Sequence, residues 1–284
     1  MPEAAHELIP QGHGADTRKD DLRTRACTPH PERDAIIRSV DKLLDEVEAV
    51  TGFCSLKEAV VEVPIPDDIA APYVPQYKLP QSALESMDLK IQEWIDTGRV
   101  VPATDAEGNN PLTAASKRHP VTGEKSEIRT CLDIRAVNTI LKNLGIQIPN
   151  NLPKIKDLFD RFSHKRVMSV LDVADAFPSM PVALKSRRFF RFTWKGRRLE
   201  FAGAPFGLMY LTAQFQHLMT VLFADDMDFV IVFVDDLIIF SGAVEDHKVH
   251  LERVLNKLKL ANLRTRKIKS QIGYVDVFLL GHKG

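Results

Sequence analysis

Two adjacent aspartates, Asp235 and Asp236, separate two apolar runs, Phe229 to Val234 and Leu237 to Phe240. This pattern reads as a β-hairpin whose two-residue loop is Asp235-Asp236. Such loops favour Asn-Gly or Asp-Gly, which tolerate positive φ, so two carboxylates there are a costly choice. Like charges at close range disfavour joint ionisation. A divalent cation removes the repulsion, and Mg2+ takes its ligands from carboxylate oxygens and substrate phosphates. A third carboxylate, Asp172, closes another apolar run, Val167-Met-Ser-Val-Leu-Asp172. Carboxylates that hold a pair of metals stabilise the attacking and leaving oxygens of phosphoryl transfer. On spacing alone, the same three residues also read as a solvated turn and a helix cap.

Such residues need rigid elements around them. Ile36, Ile37, Val40, Leu43, Leu44, Val47 and Val50 recur at helical spacing over 32–50 and predict a helix that stops near Gly52. Prolines 64, 66, 72, 75 and 80 mark an extended connector. Ser82 and Glu85 have the spacing of a capping box for a second helix, with Leu84, Met87, Ile91 and Trp94 on one face and Gly98 at its end. Ala114 to Arg118 and Ile128 to Ile134 predict a hairpin across Pro120 to Gly123. A short helix is expected over 154–162. Val167 to Val173 predicts a buried strand. Phe190 to Trp194 and Arg198 to Ala202 predict a strand pair. A helix carries Leu211, Phe215, Leu218, Met219 and Leu222, and a last helix, capped by Asp246, carries Leu251, Val254, Leu255 and Leu258. Strands and helices intermix with antiparallel hairpins, which indicates an α+β fold.

Composition excludes several classes. The 284 residues are 44% hydrophobic and 27% charged, ordinary for a globular chain. No apolar run approaches the roughly 20 residues of a membrane span. The N-terminus lacks the pattern of a secretory signal. Cys27, Cys54 and Cys131 are odd in number and widely spaced, as expected of reduced thiols in an intracellular setting. The zero net charge hides an asymmetry: residues 1–70 hold 8 basic and 15 acidic residues, net −7, and residues 71–284 hold 30 and 23, net +7. An acidic head and a basic body suggest two regions with different tasks, the body suited to a polyanion. Residues 1–30 read as a disordered leader.

Five segments, in order, resemble one family. Phe-Val-Asp-Asp-Leu at 233–237 resembles the Tyr/Phe-x-Asp-Asp box of reverse transcriptases. Leu-Asp-Val-Ala-Asp-Ala-Phe at 171–177 is similar to their first catalytic box. Pro-Phe-Gly-Leu at 205–208, followed by Phe215-Gln216, is similar to a box of gypsy-like LTR retrotransposons. The segment from Arg129 to Asn138 resembles the family's fingers segment, and Phe-Leu-Leu-Gly-His at 278–282 its primer-grip segment. Tyr210 to Gln216 departs from the family's usual Asn-Ala-Pro-Ala-Thr-Phe-Gln, which implies altered substrate handling.

The resemblance implies a polymerase: a palm with an antiparallel sheet backed by helices, plus a fingers subdomain. Residues 1–70 would be an acidic, partly disordered leader with one helix, 71–165 fingers-like and 166–284 palm. The thumb would be absent or truncated. The reaction implied is RNA-directed DNA synthesis on a retrotransposon polyprotein, adding dNTPs to the 3′-OH of a primer on an RNA or DNA template. The alternative is a catalytically silent nucleic-acid-binding relic of a mobile element. Asp172, Asp235 and Asp236 match the metal-binding carboxylates, with the Val173 carbonyl as a further ligand. Two Mg2+ ions are implied, Mn2+ being a substitute. Phe177 matches the aromatic residue under the sugar that excludes a ribose 2′-OH. Arg129 matches the fingers arginine on the triphosphate, and Lys117 is its basic companion. Asp133 and Arg135 match a supporting ion pair. Gly207 matches a close backbone approach, and Lys269 a lysine near the leaving pyrophosphate. Implied partners are primer–template, dNTPs and the thumb and RNase H segments of a polyprotein, with no membrane. The implied setting is cytoplasmic or nuclear.

Residues 185–198 carry Lys185, Arg187, Arg188, Arg191, Lys195, Arg197 and Arg198 among Phe189, Phe190, Phe192 and Trp194. Cations that neutralise phosphates, with aromatics to stack or pack, suit a nucleic-acid surface. A solvated strand pair with a buried aromatic face is the other reading, and both hold if the two faces divide the work.

Overall fold

The apolar run Val167–Ala174 pairs at the centre of the molecule with a hairpin more than fifty residues further on, Val230–Phe233 and Asp236–Ser241. A computed structural model describes residues 27–118, 125–149, 152–153, 161, 165–276, 278–279 and 282–283. In chain order its elements are helices α1 (Arg33–Glu48) and α2 (Leu84–Asp96), strands β1 (Val100–Pro102), β2 (Leu112–Arg118) and β3 (Lys125–Leu132), and helix α3 (Arg135–Asn143). Strands β4 (Val167–Ala174), β5 (Arg191–Trp194) and β6 (Arg197–Phe201) follow, then helix α4 (Leu211–Leu222), strands β7 (Val230–Phe233) and β8 (Asp236–Ser241), and helix α5 (Val244–Leu260). Short strands β9 (Arg264–Thr265), β10 (Gln271–Tyr274), β11 (Phe278–Leu279) and β12 (His282–Lys283) complete the series.

The central sheet runs β10-β4-β8-β7, with β9 beside the C-terminal end of β4. Its pairings are antiparallel. Side chains alternate between its faces, as pleating requires. Leu171, Val173, Leu237 and Ile239 turn toward the core shared with α1, α4 and α5. Met168, Val170, Ile231, Ile238 and Phe240 turn the other way and pack with Tyr274 and Cys27. A second sheet runs β1-β6-β5, so the segment expected to be fingers-like and the one expected to be palm-like share hydrogen bonds. The β5–β6 loop is Lys195-Gly196, both at positive φ (47° and 76°), the type I′ geometry that suits strand twist. Strands β2 and β3 form the expected hairpin; its tip lies outside the described residues.

Several expectations are corrected. Residues 27–30 are not disordered, because they are built against the sheet; the rest of the expected leader lies outside the described residues. Cys27 Sγ donates to Gln271 Oε1 at 3.3 Å, Thr28 bonds Asp276, and the His30 amide donates to the Gly273 carbonyl at 2.9 Å. The capping box at Ser82 does not form: residues 81–83 wind into a 3-10 turn, so Ser82 lies inside the helical run rather than at its cap. Asp246 caps nothing either. Helix α5 begins at Val244 after an extended Ala243, which places Glu245 and Asp246 in its first turn, where negative charge favours the helix dipole. The helix expected over 154–162 falls almost wholly outside the described residues.

One polar chain crosses this apolar core. Ser169 is the hydroxyl of β4 on the helix-covered face, and it meets His247 Nε2 of α5 at 2.8 Å. The other ring nitrogen meets Ser241 Oγ at 2.9 Å, which also meets His250 Nδ1 at 2.8 Å. Burial, reinforced by His250 and His30, pushes the His247 pKa from 6.5 down to about 3, so the fold holds the neutral ring. Its contribution is complete above pH 6.5 and is lost as pH falls from 6.5 toward 3, at about 1.4 kcal/mol per pH unit. Denaturant midpoints at pH 6.5 and pH 5 should therefore fall steeply in the wild type, and the slope should be shallower in His247→Gln. Equal slopes would show that the ring is not kept neutral by the fold.

Candidate active site

The β7–β8 hairpin is closed by the pairing of Phe233 with Asp236, so its two-residue loop is Val234-Asp235 rather than Asp235-Asp236. The one-residue shift follows from the core: Leu237 and Ile239 must face the helices, and a slip of one would turn every side chain over. It leaves Val234 at φ 52°, a left-handed position that a β-branched residue enters only under constraint. Gln216 of α4 supplies that constraint. Its Oε1 accepts from the Val234 amide at 2.7 Å, and its Nε2 donates to the Val232 carbonyl at 3.2 Å. Gln216 is 3% exposed, so these bonds form away from water.

With the turn placed there, Asp236 opens β8 in direct register with Asp172 of β4. Side chains of such a pair share a face, with Cβ atoms roughly 5 Å apart. Asp235 lies next to them, its carbonyl accepting from the buried Val173 amide at 2.8 Å. The three carboxylate-bearing residues thus meet at one end of β4 and β8, on backbones joined by hydrogen bonds. Among the described residues no three His, Cys, Asp or Glu side chains converge as an ion-holding cluster.

Phe177 follows β4 by three residues. Half-buried, it meets Phe206 and Phe215 edge to face, at ring-centroid distances of 5.6 and 6.1 Å. Gly207 has φ 99°, a conformation that requires glycine. Asn138 of α3 holds the Gly207 loop: its Nδ2 donates to the Gly207 carbonyl at 2.7 Å and its Oδ1 accepts from the Met209 amide at 3.1 Å. Asn138 and Gln216 lie within the family-like segments, where residue type alone gives neither a role. The signal for both is the same: an amide side chain can satisfy a donor and an acceptor of one irregular loop at once.

Asp133 and Arg135 form the expected pair, with Nε donating to Oδ1 at 2.9 Å and Oδ2 at 3.1 Å and Nη2 to Oδ2 at 2.6 Å. That guanidinium, with the Tyr77 hydroxyl, holds the Asp133 carboxyl below the usual range against its burial. Arg129 lies on β3 opposite Ala115, and Lys117 lies on β2 where the register shifts. Lys269 ends a 3-10 turn after β9, and the Arg266 amide in the same turn donates to the Asp172 carbonyl at 3.2 Å. The turn therefore stands against the carboxylate end of β4.

The basic stretch divides differently from expectation. Arg191 is corrected outright: it is 4% exposed and spent on internal ion pairs, with Glu200 at 2.9 Å and with Asp105. Such a side chain cannot leave for a phosphate without stranding a buried carboxylate. Arg188 pairs with Glu107 at 2.8 Å and lies over the Phe189 ring. Arg187 donates to the Val182 carbonyl at 3.2 Å, and Lys195 pairs with Asp88 at 2.5 Å. Lys195 and Arg197, around the β5–β6 turn, are exposed. Phe189, Phe190 and Phe192 are buried.

The chain is similar to known proteins. Residues 116–283 match the family model described as reverse transcriptase (RNA-dependent DNA polymerase). The Pol polyprotein of transposon 412 from Drosophila melanogaster is 29% identical over 213 residues, covering 74% of this chain and 17% of that protein. A putative enzymatic polyprotein of Cassava vein mosaic virus is 25% identical, over 72% of this chain and 32% of its own length. The chain thus spans a minor part of these relatives. Among solved structures, the foamy viral protease–reverse transcriptase in complex with double-stranded DNA superposes with a TM-score of 0.74 at 20% identity, over 97% of this chain and 56% of that one. The native prototype foamy virus enzyme gives 0.73 at 20% identity, over 100% of this chain and 36% of that one. Among the described residues no helix is long and apolar enough to cross a membrane. The matched span includes β3, the β4 carboxylate, the Gly207 loop and the β7–β8 turn, and the chain belongs to the reverse transcriptase (RNA-dependent DNA polymerase) family.

Proposed function

We propose that this chain is the fingers and palm portion of an RNA-directed DNA polymerase from a retrotransposon-type polyprotein. The observation that carries the reading is the register of Asp172 against Asp236, with Asp235 beside them. Hard oxygen donors brought together on adjacent strands are the donor set that Mg2+ takes. Two Mg2+ ions, or Mn2+ in their place, would supply charge stabilisation at the attacking and leaving oxygens. Asp172, Asp235, Asp236 and the Val173 carbonyl would hold them. Arg129, with Lys117, would orient the dNTP triphosphate through bidentate guanidinium contacts. Phe177 would lie under the sugar and leave no room for a 2′-OH. Gly207 would let the backbone approach the nucleotide, and Lys269 would stand near the leaving pyrophosphate. Lys195 and Arg197, exposed on one hairpin tip, and Arg187 and Arg188, in the turn that leads into β5, would meet the primer–template backbone. The thumb and RNase H segments of the polyprotein would be further partners, in the cytoplasm or nucleus.

Primer extension tests the reading. Asp235→Asn keeps side-chain volume and removes one ligand charge. Because metal charge stabilisation is worth several kcal/mol, extension should fall roughly 10³-fold while thermal unfolding stays the same. Retained synthesis would remove Asp235 from the site, and a wild-type chain that extends no primer with Mg2+ would favour the silent relic.

Phe177→Val opens space at the 2′ position. Selectivity for dNTPs over rNTPs should drop about tenfold or more, the scale on which a pocket reads a small steric change. Unchanged selectivity would make Phe177 a core aromatic alone.

Gln216→Leu leaves the Val234 amide and Val232 carbonyl without their bonds. It should cost about 1–3 kcal/mol of stability and reduce extension by loosening the turn. Full extension at full stability would show that the turn holds without Gln216.

A further inference from the structure

Asp175 lies between the residue that carries the β4 carboxylate and Phe177, and its backbone is left-handed, with φ 51°. Aspartate enters that region more readily than most residues, yet still at a cost. Three guanidiniums from two segments converge on its carboxylate. Arg99, which follows α2, reaches Oδ2 at 2.9 Å. Arg264 of β9 bonds the same oxygen, and Arg266 reaches Oδ1 at 3.3 Å. Burial alone would raise the Asp175 pKa, but the arginines outweigh it and hold the carboxyl below its usual range. Charge-assisted bonds to a carboxylate only 22% exposed are stronger than their surface counterparts.

This anchorage passes directly to Phe177. The Asp175 carbonyl accepts from the Ser179 amide at 2.8 Å, and the Phe177 carbonyl from the Met180 amide at 2.9 Å. The turn from 175 to 180 is thus one closed unit, tied down through the Asp175 side chain. Its other boundary leads back to Arg99, whose carbonyl accepts from the Ala202 and Gly203 amides at 2.8 and 3.1 Å. Gly203 in turn packs so tightly under the loop that a Cβ there would lie 2.5 Å from the Pro178 carbonyl. The ring under the sugar is therefore placed by segments around residues 99, 203 and 264–266 as well as by its own strand.

We propose that Asp175, gripped by Arg99, Arg264 and Arg266, is a positioning residue that sets sugar selectivity by fixing Phe177 relative to the Asp172–Asp236 edge. It rests on the reading of Phe177 given above. Loss of the grip lets the ring retreat and admits a 2′-OH, so selectivity falls in one direction only.

The test compares dATP and ATP on the whole chain, by thermal-shift binding in Ca2+ and by kcat/KM for primer extension in Mg2+. Asp175→Asn keeps size and tolerance of left-handed backbone and removes only the charge. It should reduce the preference for dATP about tenfold, the scale of one charge-assisted hydrogen bond. Arg99→Gln, a milder change, should act in the same direction by a smaller factor. The double variant should match Asp175→Asn rather than multiply the two, because both act through one contact. Equal weakening of both nucleotides, with the preference intact, would mean a structural role and overturn the proposal. So would multiplicative effects in the double variant. A wild-type chain that binds the nucleotides without preferring dATP would sink the Phe177 reading and this proposal together, whereas preference kept in Asp175→Asn alone would sink only this one.

Discussion

The hydrogen bond from the Val173 amide to the Asp235 carbonyl, 2.8 Å long, ties the end of β4 to the loop before β8. Everything at the carboxylate edge depends on that register. It sets Asp172 against Asp236, sends Leu171 and Leu237 into the helix-covered core, and forces the turn to close one residue early, on Val234. The left-handed valine is the local cost. Gln216, reaching from α4, offsets it by satisfying the strained amide and a neighbouring carbonyl together. The chain therefore keeps a strained backbone and two facing carboxyl groups at one place, and a buried amide side chain holds the turn there. Real sequences depart from local consistency where function requires it.

Much of this was legible beforehand. Periodicity locates α1, α2, α4 and α5, because one buried face per helix leaves a regular apolar stripe, and unbroken apolar runs locate β4, β7 and β8; the short β9 and β10 carry neither signal. The order of motifs located the carboxylates. What failed was chemistry that depends on exact residue position. The hairpin loop was placed one residue late, since apolar run length does not reveal where a left-handed residue will sit. Ser82 and Asp246 have good capping identities, but caps depend on where a helix begins, and tertiary contacts moved both starts. Arg191 looked like its basic neighbours because composition does not distinguish a buried ion pair from a surface charge. Only pairing with β6 places it beside Glu200. Asn138 and Gln216 were invisible as positioning groups because their partners are backbone atoms 71 and 18 residues away.

The opposed charges of the two halves also acquire a different meaning. Asp41 and Asp45 of α1 both bond Lys267, Glu46 bonds Lys259, and Glu62 bonds Lys185, each within 2.9 Å. The acidic head thus answers part of the basic body inside the same molecule. These pairs are solvent-exposed to varying degrees, and each is worth little by itself. Their collective effect is orientation: they line α1 up against α5 and the turn after β9, which are the elements adjoining the carboxylate edge of the sheet.

The placement of α1 has a consequence for the order in which the molecule can form. Its buried face, Ile36, Val40, Leu44 and Val47, packs on α5 and β10, and Arg33 Nε donates to the Ile272 carbonyl, 239 residues further along the chain. At a synthesis rate of roughly 5–20 residues per second, the ribosome takes some tens of seconds to deliver that partner. During that interval α1 exists without the surface that covers its apolar stripe. Contacts of such sequence separation also slow folding after release, because loop closure precedes any gain from packing. Helix α1 is made long before the strand that covers it, so completion of the central sheet and its packing waits for residues 271–274.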